Sequence, residues 1–201
     1  MKNTPALETE RLILRRFTPA DIPEIHAIFS DPEVTRFVPC RLDTMAEAEA
    51  YYREHYEKIY SRPQGCAYAV CLKESGQVIG YVNCPMAEPY DFGYGYKKEH
   101  WRQGYASEGA RAAIAWLREA GLPYITATHD VENPHSGKVM EALGMTYRYS
   151  YREQWQPRDM LVTFRMYQLD LNGENATYMG YWNRYPEHFV EELSQDFRER
   201  N

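Results

Sequence analysis

Between residues 90 and 128 the chain changes its hydrophobic period twice, and that succession restricts the fold more than any other feature of the sequence. Tyr90 to Tyr96 (Tyr-Asp-Phe-Gly-Tyr-Gly-Tyr) is β-prone, and its two glycines mark a place where the backbone bulges or another group approaches closely. From Gly104 the pattern is helical, with Ala106, Ala110, Ala113, Ile114 and Leu117 at three- and four-residue steps and Gly121 with Pro123 as the stop. Small residues on that face let the helix lie close to a sheet. Tyr124 to Thr128 then reads as a buried strand. A strand, a glycine turn, a close-packing helix and another strand require helices layered on a sheet, which places the chain in the α/β or mixed α+β class.

The flanks extend this plan. Leu12 to Phe17 reads as a strand, and Thr18-Pro19-Ala20-Asp21 then supplies an N-cap, a first-position proline and a carboxylate for a helix bearing Ile22, Ile25 and Phe29. Asp31-Pro32 ends it. A second capping box, Thr44 to Glu47, opens a segment whose Ala48, Tyr51, Tyr52, His55 and Ile59 share a face and which stops before Pro63. Cys66 to Leu72 and Val78 to Cys84 are close enough to pair as an antiparallel hairpin. Asn133-Pro134 opens a short helix with Val139, Met140 and Leu143, capped by Gly144. Tyr147, Tyr149 and Tyr151 alternate on one face of a strand, Gln156-Pro157-Arg158-Asp159 turns, and Leu161 to Leu169 returns.

Residues 1–172 read as one domain and 173–201 as an extension, in which an aromatic patch (Tyr178, Tyr181, Trp182, Tyr185) precedes a helical segment repeating Phe189, Leu193 and Phe197. That tail is a docked segment, a dimer contact or a substrate lid. The tyrosines near 90–96 and 178–185 line an acceptor pocket or, the favoured reading, an interface.

Composition removes several classes of function. Arg and Lys total 23 against 29 Asp and Glu, a formal charge of −6, so there is no global positive field to hold a nucleic-acid backbone. No apolar run approaches the roughly 20 residues of a membrane span. Met1 to Glu10 are polar and lack a signal-peptide pattern, so the expected location is the cytosol. Cys40, Cys66, Cys71 and Cys84 show no CxxC spacing and read as reduced thiols, with no metal expected. The chain has no HExxH and no GxSxG, and Gly137-Lys138 fails as a P-loop because Glu132 and Val139 stand at its other two required positions.

Chemistry concentrates in two stretches. Trp101-Arg102-Gln103-Gly104-Tyr105-Ala106-Ser107-Glu108-Gly109 puts a glycine turn at a helix N-terminus, where unpaired amides and the helix dipole receive phosphate oxygens. In Asn133-Pro134-His135-Ser136, Asn133 can cap the helix through the Ser136 amide, or both side chains can face a cleft and bind an amide- or thiol-bearing ligand.

Together these stretches resemble the acyl-CoA-dependent GNAT superfamily of N-acetyltransferases, in particular its RimJ/RimL-like branch. Leu7 to Arg15 (Leu-Glu-Thr-Glu-Arg-Leu-Ile-Leu-Arg), Asp31-Pro32-Glu33-Val34, Asp91-Phe92-Gly93-Tyr94 and Leu143-Gly144-Met145 follow in family order, so the resemblance covers about residues 5–170. It implies a mostly antiparallel sheet of about seven strands with a V-shaped splay between the fourth and fifth. It also implies acetyl-CoA as cosubstrate, an amine acceptor and a possible homodimer. The pyrophosphate would rest on the amides of Arg102, Gln103, Gly104, Tyr105, Ala106 and Ser107, and the pantetheine arm would meet the strand edge up to Tyr96 and Asn133. Ser136 would lie near the sulfur. Trp101 departs from the family's usual Gln or Arg, and Met140 stands where many members carry a proton-donating Tyr, which leaves Ser136 as the candidate acid. A non-catalytic CoA-binding sensor or assembly module is the alternative.

The implied reaction is direct attack of a neutral amine on the thioester, with the oxyanion met by a backbone amide. Deprotonating a lysine amine near neutral pH costs roughly 4 kcal/mol, against about 0.5 for an α-amine. Asp91, Glu88 and His129 are the candidates for base or water holder. The acidic net charge favours a cationic acceptor, either a small amine or a protein N-terminus.

Overall fold

The computed structural model describes residues 3–156 and 158–193, within which two antiparallel sheets meet at one residue pair. The first sheet holds β1 (Leu7–Glu8), β2 (Leu12–Arg15), β3 (Ala67–Leu72), β4 (Val78–Asn83) and β5 (Gly93–Tyr96), in that order. The second is built from β6 (Tyr124–Asp130), β7 (Thr146–Trp155), β8 (Met160–Asp170) and β9 (His188–Phe189), in the order β6-β8-β7-β9. The expected single sheet of seven strands is therefore corrected to sheets of five and four. Two short strands, β1 and β9, fold back on their neighbours without a periodic signature of their own. Between β5 and β6 the pairing is a lone parallel bridge, Asp91 to Thr126, carried by Phe92 N–H to the Thr126 carbonyl at 2.7 Å and Thr126 N–H to the Tyr90 carbonyl at 3.3 Å.

Helices cover both faces. α1 (Ile22–Ser30), α2 (Met45–Tyr51) and α3 (Lys58–Tyr60) lie on one face, burying Phe17, Ile25, Phe29 and Tyr56 against Ala69 and Tyr81. α4 (Tyr105–Glu119) and α5 (Pro134–Ala142) lie on the other, over Leu12, Leu14, Val70, Ile125 and Ala127. Both expected capping boxes form. The Asp21 carboxylate accepts from the Thr18 amide and hydroxyl at 2.8 and 2.9 Å, and the Thr44 hydroxyl accepts the Glu47 amide while the Glu47 carboxylate accepts the Thr44 amide.

Three expectations of register are corrected. A π-helical turn over Tyr52–Glu57 joins α2 to α3, and its wider step turns Tyr52 and Tyr56 inward, so His55 is exposed and stacks on Tyr51 with ring centroids 4.0 Å apart. A bulge between Tyr147 and Tyr149 inserts one residue into β7, so Tyr147 packs on the α4–α5 face while Tyr149 and Tyr151 face the opposite side. Phe189 belongs to β9, which pairs Ser150 with Phe189 and Tyr151 with His188, and not to a helix; Phe197 and the turn's Pro157 lie outside the described residues. α6 (Gly180–Arg184) carries Tyr181 and Trp182 onto Tyr149, Tyr151, Phe164 and Met166. Among the described residues no helix is long and apolar enough to cross a membrane.

Candidate functional site

The two-residue alternation of an antiparallel ladder decides which backbone groups the gap between β5 and β6 receives. Lys97 N–H bonds the Ile79 carbonyl on β4, whereas Phe92 N–H bonds Thr126 on β6. Tyr94 and Tyr96, which share the parity of Phe92, therefore point their amides away from β4 and into the gap. The Tyr96 carbonyl is taken by the Trp101 indole N–H at 2.7 Å, while its ring is buried in the core with its hydroxyl against Gly109. Tyr96 thus offers the gap its backbone and not its phenol. Trp101 braces the strand end.

Past Trp101 the chain turns through two left-handed residues, Arg102 at φ 59° and Gly104 at φ 79°. At Gly104 a side chain would be strained, and a Cβ there would come within 3.4 Å of the Arg11 guanidinium. The turn delivers the chain into the fifteen-residue α4, whose first bond returns from the Glu108 amide to the Gly104 carbonyl at 3.0 Å. The amides of Tyr105, Ala106 and Ser107 precede that bond and have no acceptor within the helix. Residues 101–104 are exposed and 105–107 are half-buried, so the turn and the helix start lie at the surface.

Glu108 fixes the turn to β2. Its carboxylate accepts from the Thr9 hydroxyl at 2.6 Å and the Arg11 amide at 2.9 Å and is paired with the Arg11 guanidinium at 2.6 Å. Burial works against its charge, but these donors hold its carboxyl below the ordinary range. Arg11 also donates to the Gln103 carbonyl at 3.0 Å and lies over the Tyr105 ring, and the Gln103 amide donates to the Glu99 carbonyl at 2.8 Å. The side chains of the turn thus brace it while its backbone faces outward. This Thr9–Arg11–Glu108 brace has no local sequence signal, because its members lie almost one hundred residues apart.

Asn133 caps α5, its side-chain oxygen accepting the Ser136 amide at 3.4 Å. The Ser136 hydroxyl is 3.2 Å from the hydroxyl of Tyr94, which donates to the Ser136 carbonyl at 3.0 Å. Tyr94 therefore reaches across the gap from β5 to the first turn of α5. Its sequence context marks it only as one of the tyrosines near 90–96 that line an acceptor pocket or an interface, and the bond to Ser136 has no local signal. Met140 is buried in the core.

Asp91 and His129 lie on opposite faces. The Asp91–Thr126 bridge puts Asp91 on the face that carries α6, while His129, an odd number of residues from Thr126, turns beneath α5. Its Nδ1 donates to the Asp130 carbonyl at 2.8 Å, a Cβ on Gly137 would come within 2.7 Å of its Nε2, and burial pulls its pKa below the ordinary value. Ser136 and Asn133 share that side. Asp91, Ser136 and His129 are thus not one cluster. Asp91 is half-buried, and its partial removal from water pushes its carboxyl up to about 7. Glu88, in contrast, is exposed and accepts the Tyr124 hydroxyl at 2.8 Å.

Residues 11–146 match the family described as acetyltransferase (GNAT) domain. The chain is 30% identical over 145 residues to the uncharacterized N-acetyltransferase YoaA of Bacillus subtilis, covering 70% of this chain and 82% of that one. Its fold is similar to the ribosomal-protein-S5-alanine acetyltransferase of Vibrio fischeri, with TM-score 0.72 at 17% identity over 86% of this chain and 100% of that one. It is also similar to the spermidine N-acetyltransferase of Vibrio cholerae in complex with CoA and spermine, with TM-score 0.70 at 18% identity over 81% and 97%.

Proposed function

The chain belongs to the GNAT acetyltransferase family, and from that premise we propose that it transfers the acetyl group of acetyl-CoA to a primary amine, either a small cationic amine or a protein α-amine as in the RimJ/RimL-like branch. The observation that carries this reading is the gap between β5 and β6. Toward α4 and α5 it is bordered by outward amides, and on its other face stands a carboxyl that titrates near neutrality.

The residues fit a CoA thioester in three respects. The free amides of Gly104, Tyr105, Ala106 and Ser107 sit at the positive end of α4, where Gly104 leaves room for pyrophosphate oxygens. The Tyr94 and Tyr96 amides supply an open strand edge for the amide groups of a pantetheine arm. Asn133 and Ser136 stand on the opposite bank. When bound, acetyl-CoA supplies an activated acetyl thioester.

Asp91 accepts the proton of the attacking amine, because a carboxyl near 7 is half ionised at working pH and is a stronger base than an ordinary carboxylate. The Tyr94 amide faces the thioester oxygen as negative charge gathers there. Ser136, tied to the Tyr94 hydroxyl, hydrogen-bonds the departing sulfur. The net charge of −6 favours a cationic acceptor, and the two solved proteins of similar fold are a spermidine acetyltransferase and a ribosomal-protein-alanine acetyltransferase. Calorimetric titration of acetyl-CoA, followed in the same sample by thiol-release assays with polyamines, simple primary amines and N-terminal peptides, tests the reading. Binding with turnover identifies the acceptor class. Binding without turnover across the panel refutes amine transfer, and absence of binding refutes the assignment of the gap.

A further inference from the structure

The segment after β8 lies outside residues 11–146, yet it is built firmly into the face that carries Asp91. The Gln168 side chain holds it at two points, accepting the Tyr178 amide at 2.9 Å and donating to the Ala176 carbonyl at 3.1 Å. The Tyr149 hydroxyl donates to the Tyr178 carbonyl at 2.7 Å. Tyr181 and Tyr185, four residues apart and so on one side of α6, both stack on the Tyr151 ring, with centroids 5.1 and 4.7 Å away and planes within 15° and 8°. Further on, the Glu191 carboxylate is paired with Arg165 and accepts from Ser150.

This anchorage carries Tyr181 to the bridge between the sheets. Its hydroxyl lies within hydrogen-bonding reach of Thr126, and the Thr126 hydroxyl itself donates to the Pro89 carbonyl at 2.9 Å. Thr126 is the residue that pairs with Asp91. The titratable groups that face Asp91 are the Cys84 thiol after β4, the Tyr151 hydroxyl of β7 and the Tyr178 and Tyr181 hydroxyls of the tail. Burial raises all four, so they are neutral at physiological pH and give Asp91 no counter-charge.

We propose that Tyr181 is a positioning residue for the acceptor half of the reaction, its ring covering Asp91 from the face that carries α6 so that the gap between β5 and β6 is the direction from which an amine meets the carboxylate. The proposal rests on the reading of Asp91 as the base. It differs from the family's own machinery in that the residue comes from beyond the matched region. Tyr181 acts on the reaction through Asp91, by excluding water from that face of it.

The test uses full-length, ligand-free protein labelled with carbon-13 at aspartate carboxyls, with Asp91→Asn assigning the resonance. The Asp91 midpoint is expected near 7 in the parent and lower by about one pH unit or more in Tyr181→Ala, because opening a half-buried carboxyl further to water favours its charged form. Tyr185→Ala, on the same segment and stacked on Tyr151 but not among the groups that face Asp91, is expected to leave it in place. If Tyr181→Ala fails to fold, Tyr181→Leu keeps apolar bulk under α6, removes the far end of the ring and carries the same expectation. An unmoved midpoint in the folded variant overturns the proposal, as does a parent midpoint in the ordinary carboxyl range. A moved midpoint without thiol release from any amine counts against amine transfer alone and upholds the wall.

Discussion

The two banks of the β5–β6 gap are made of different material. On the α4 side the binding groups are main-chain amides, shaped by Gly104, by the helix start and by the alternation of one strand, and the side chains there serve as braces. On the Asp91 side the character comes from side chains drawn from β7, α6 and the loop before β5, separated by up to ninety residues and brought together by packing. A backbone site tolerates changes of side chain and fails when the turn is blocked. A side-chain site depends on the identity of each member and on everything that excludes water from it.

The largest expected effect comes from blocking the backbone half. Gly104→Glu puts an L residue at φ 79° and an anion among the phosphate-facing amides, and acetyl-CoA affinity should drop by more than about 100-fold. Calorimetry on a variant of native circular dichroism checks this, and retained affinity would break the assignment of that bank. Asp91→Asn should lower kcat/KM for the acceptor by about 100-fold and remove the acid limb near pH 7 from its profile, while the acetyl-CoA Kd stays within twofold. A lost Kd there would mean that the banks are not separable.

The same carboxyl makes a pH-dependent contribution to stability. Folded Asp91 keeps its proton up to about 7, whereas the unfolded chain releases it near 3.9, so over that window the native state binds more protons and stability falls as pH rises. The loss is at most about 4 kcal/mol, and denaturant titrations at pH 5 and pH 8 should show Asp91→Asn flattening it. The smallest effects belong to the loop's own side chains. Arg102→Ala and Gln103→Ala should each change acetyl-CoA affinity by less than about fivefold, and a larger loss in either would show that the turn binds through its side chains after all.

The same contrast explains what could be read from the sequence. Capping at Thr18, Thr44 and Asn133, the turn at Gly104 and the hairpin of β3 and β4 are written within a few consecutive residues, and each forms where expected. The features that escaped are single-residue shifts of phase. The π-turn that buries Tyr56 in place of His55 and the bulge that separates Tyr147 from Tyr149 are settled by partners across the core, and no local pattern announces them. Tyr181 was visible only as one aromatic among several, since its neighbourhood with Thr126 and Asp91 exists only after α6 has clamped Tyr151. Tyr94 is similar, because its bond to Ser136 joins elements forty-two residues apart.

Because the sheets share one residue pair, the amides of Tyr94 and Tyr96 end β5 with no neighbouring strand, while those of Gly93 and Gly95 lie in a ladder with β4. In heavy water, residues next to each other in one strand should therefore take up deuterium on two different schedules. A cosubstrate lying in the gap would act as the missing strand and bring the two schedules together, so the backbone records, residue by residue, whether the cleft is filled.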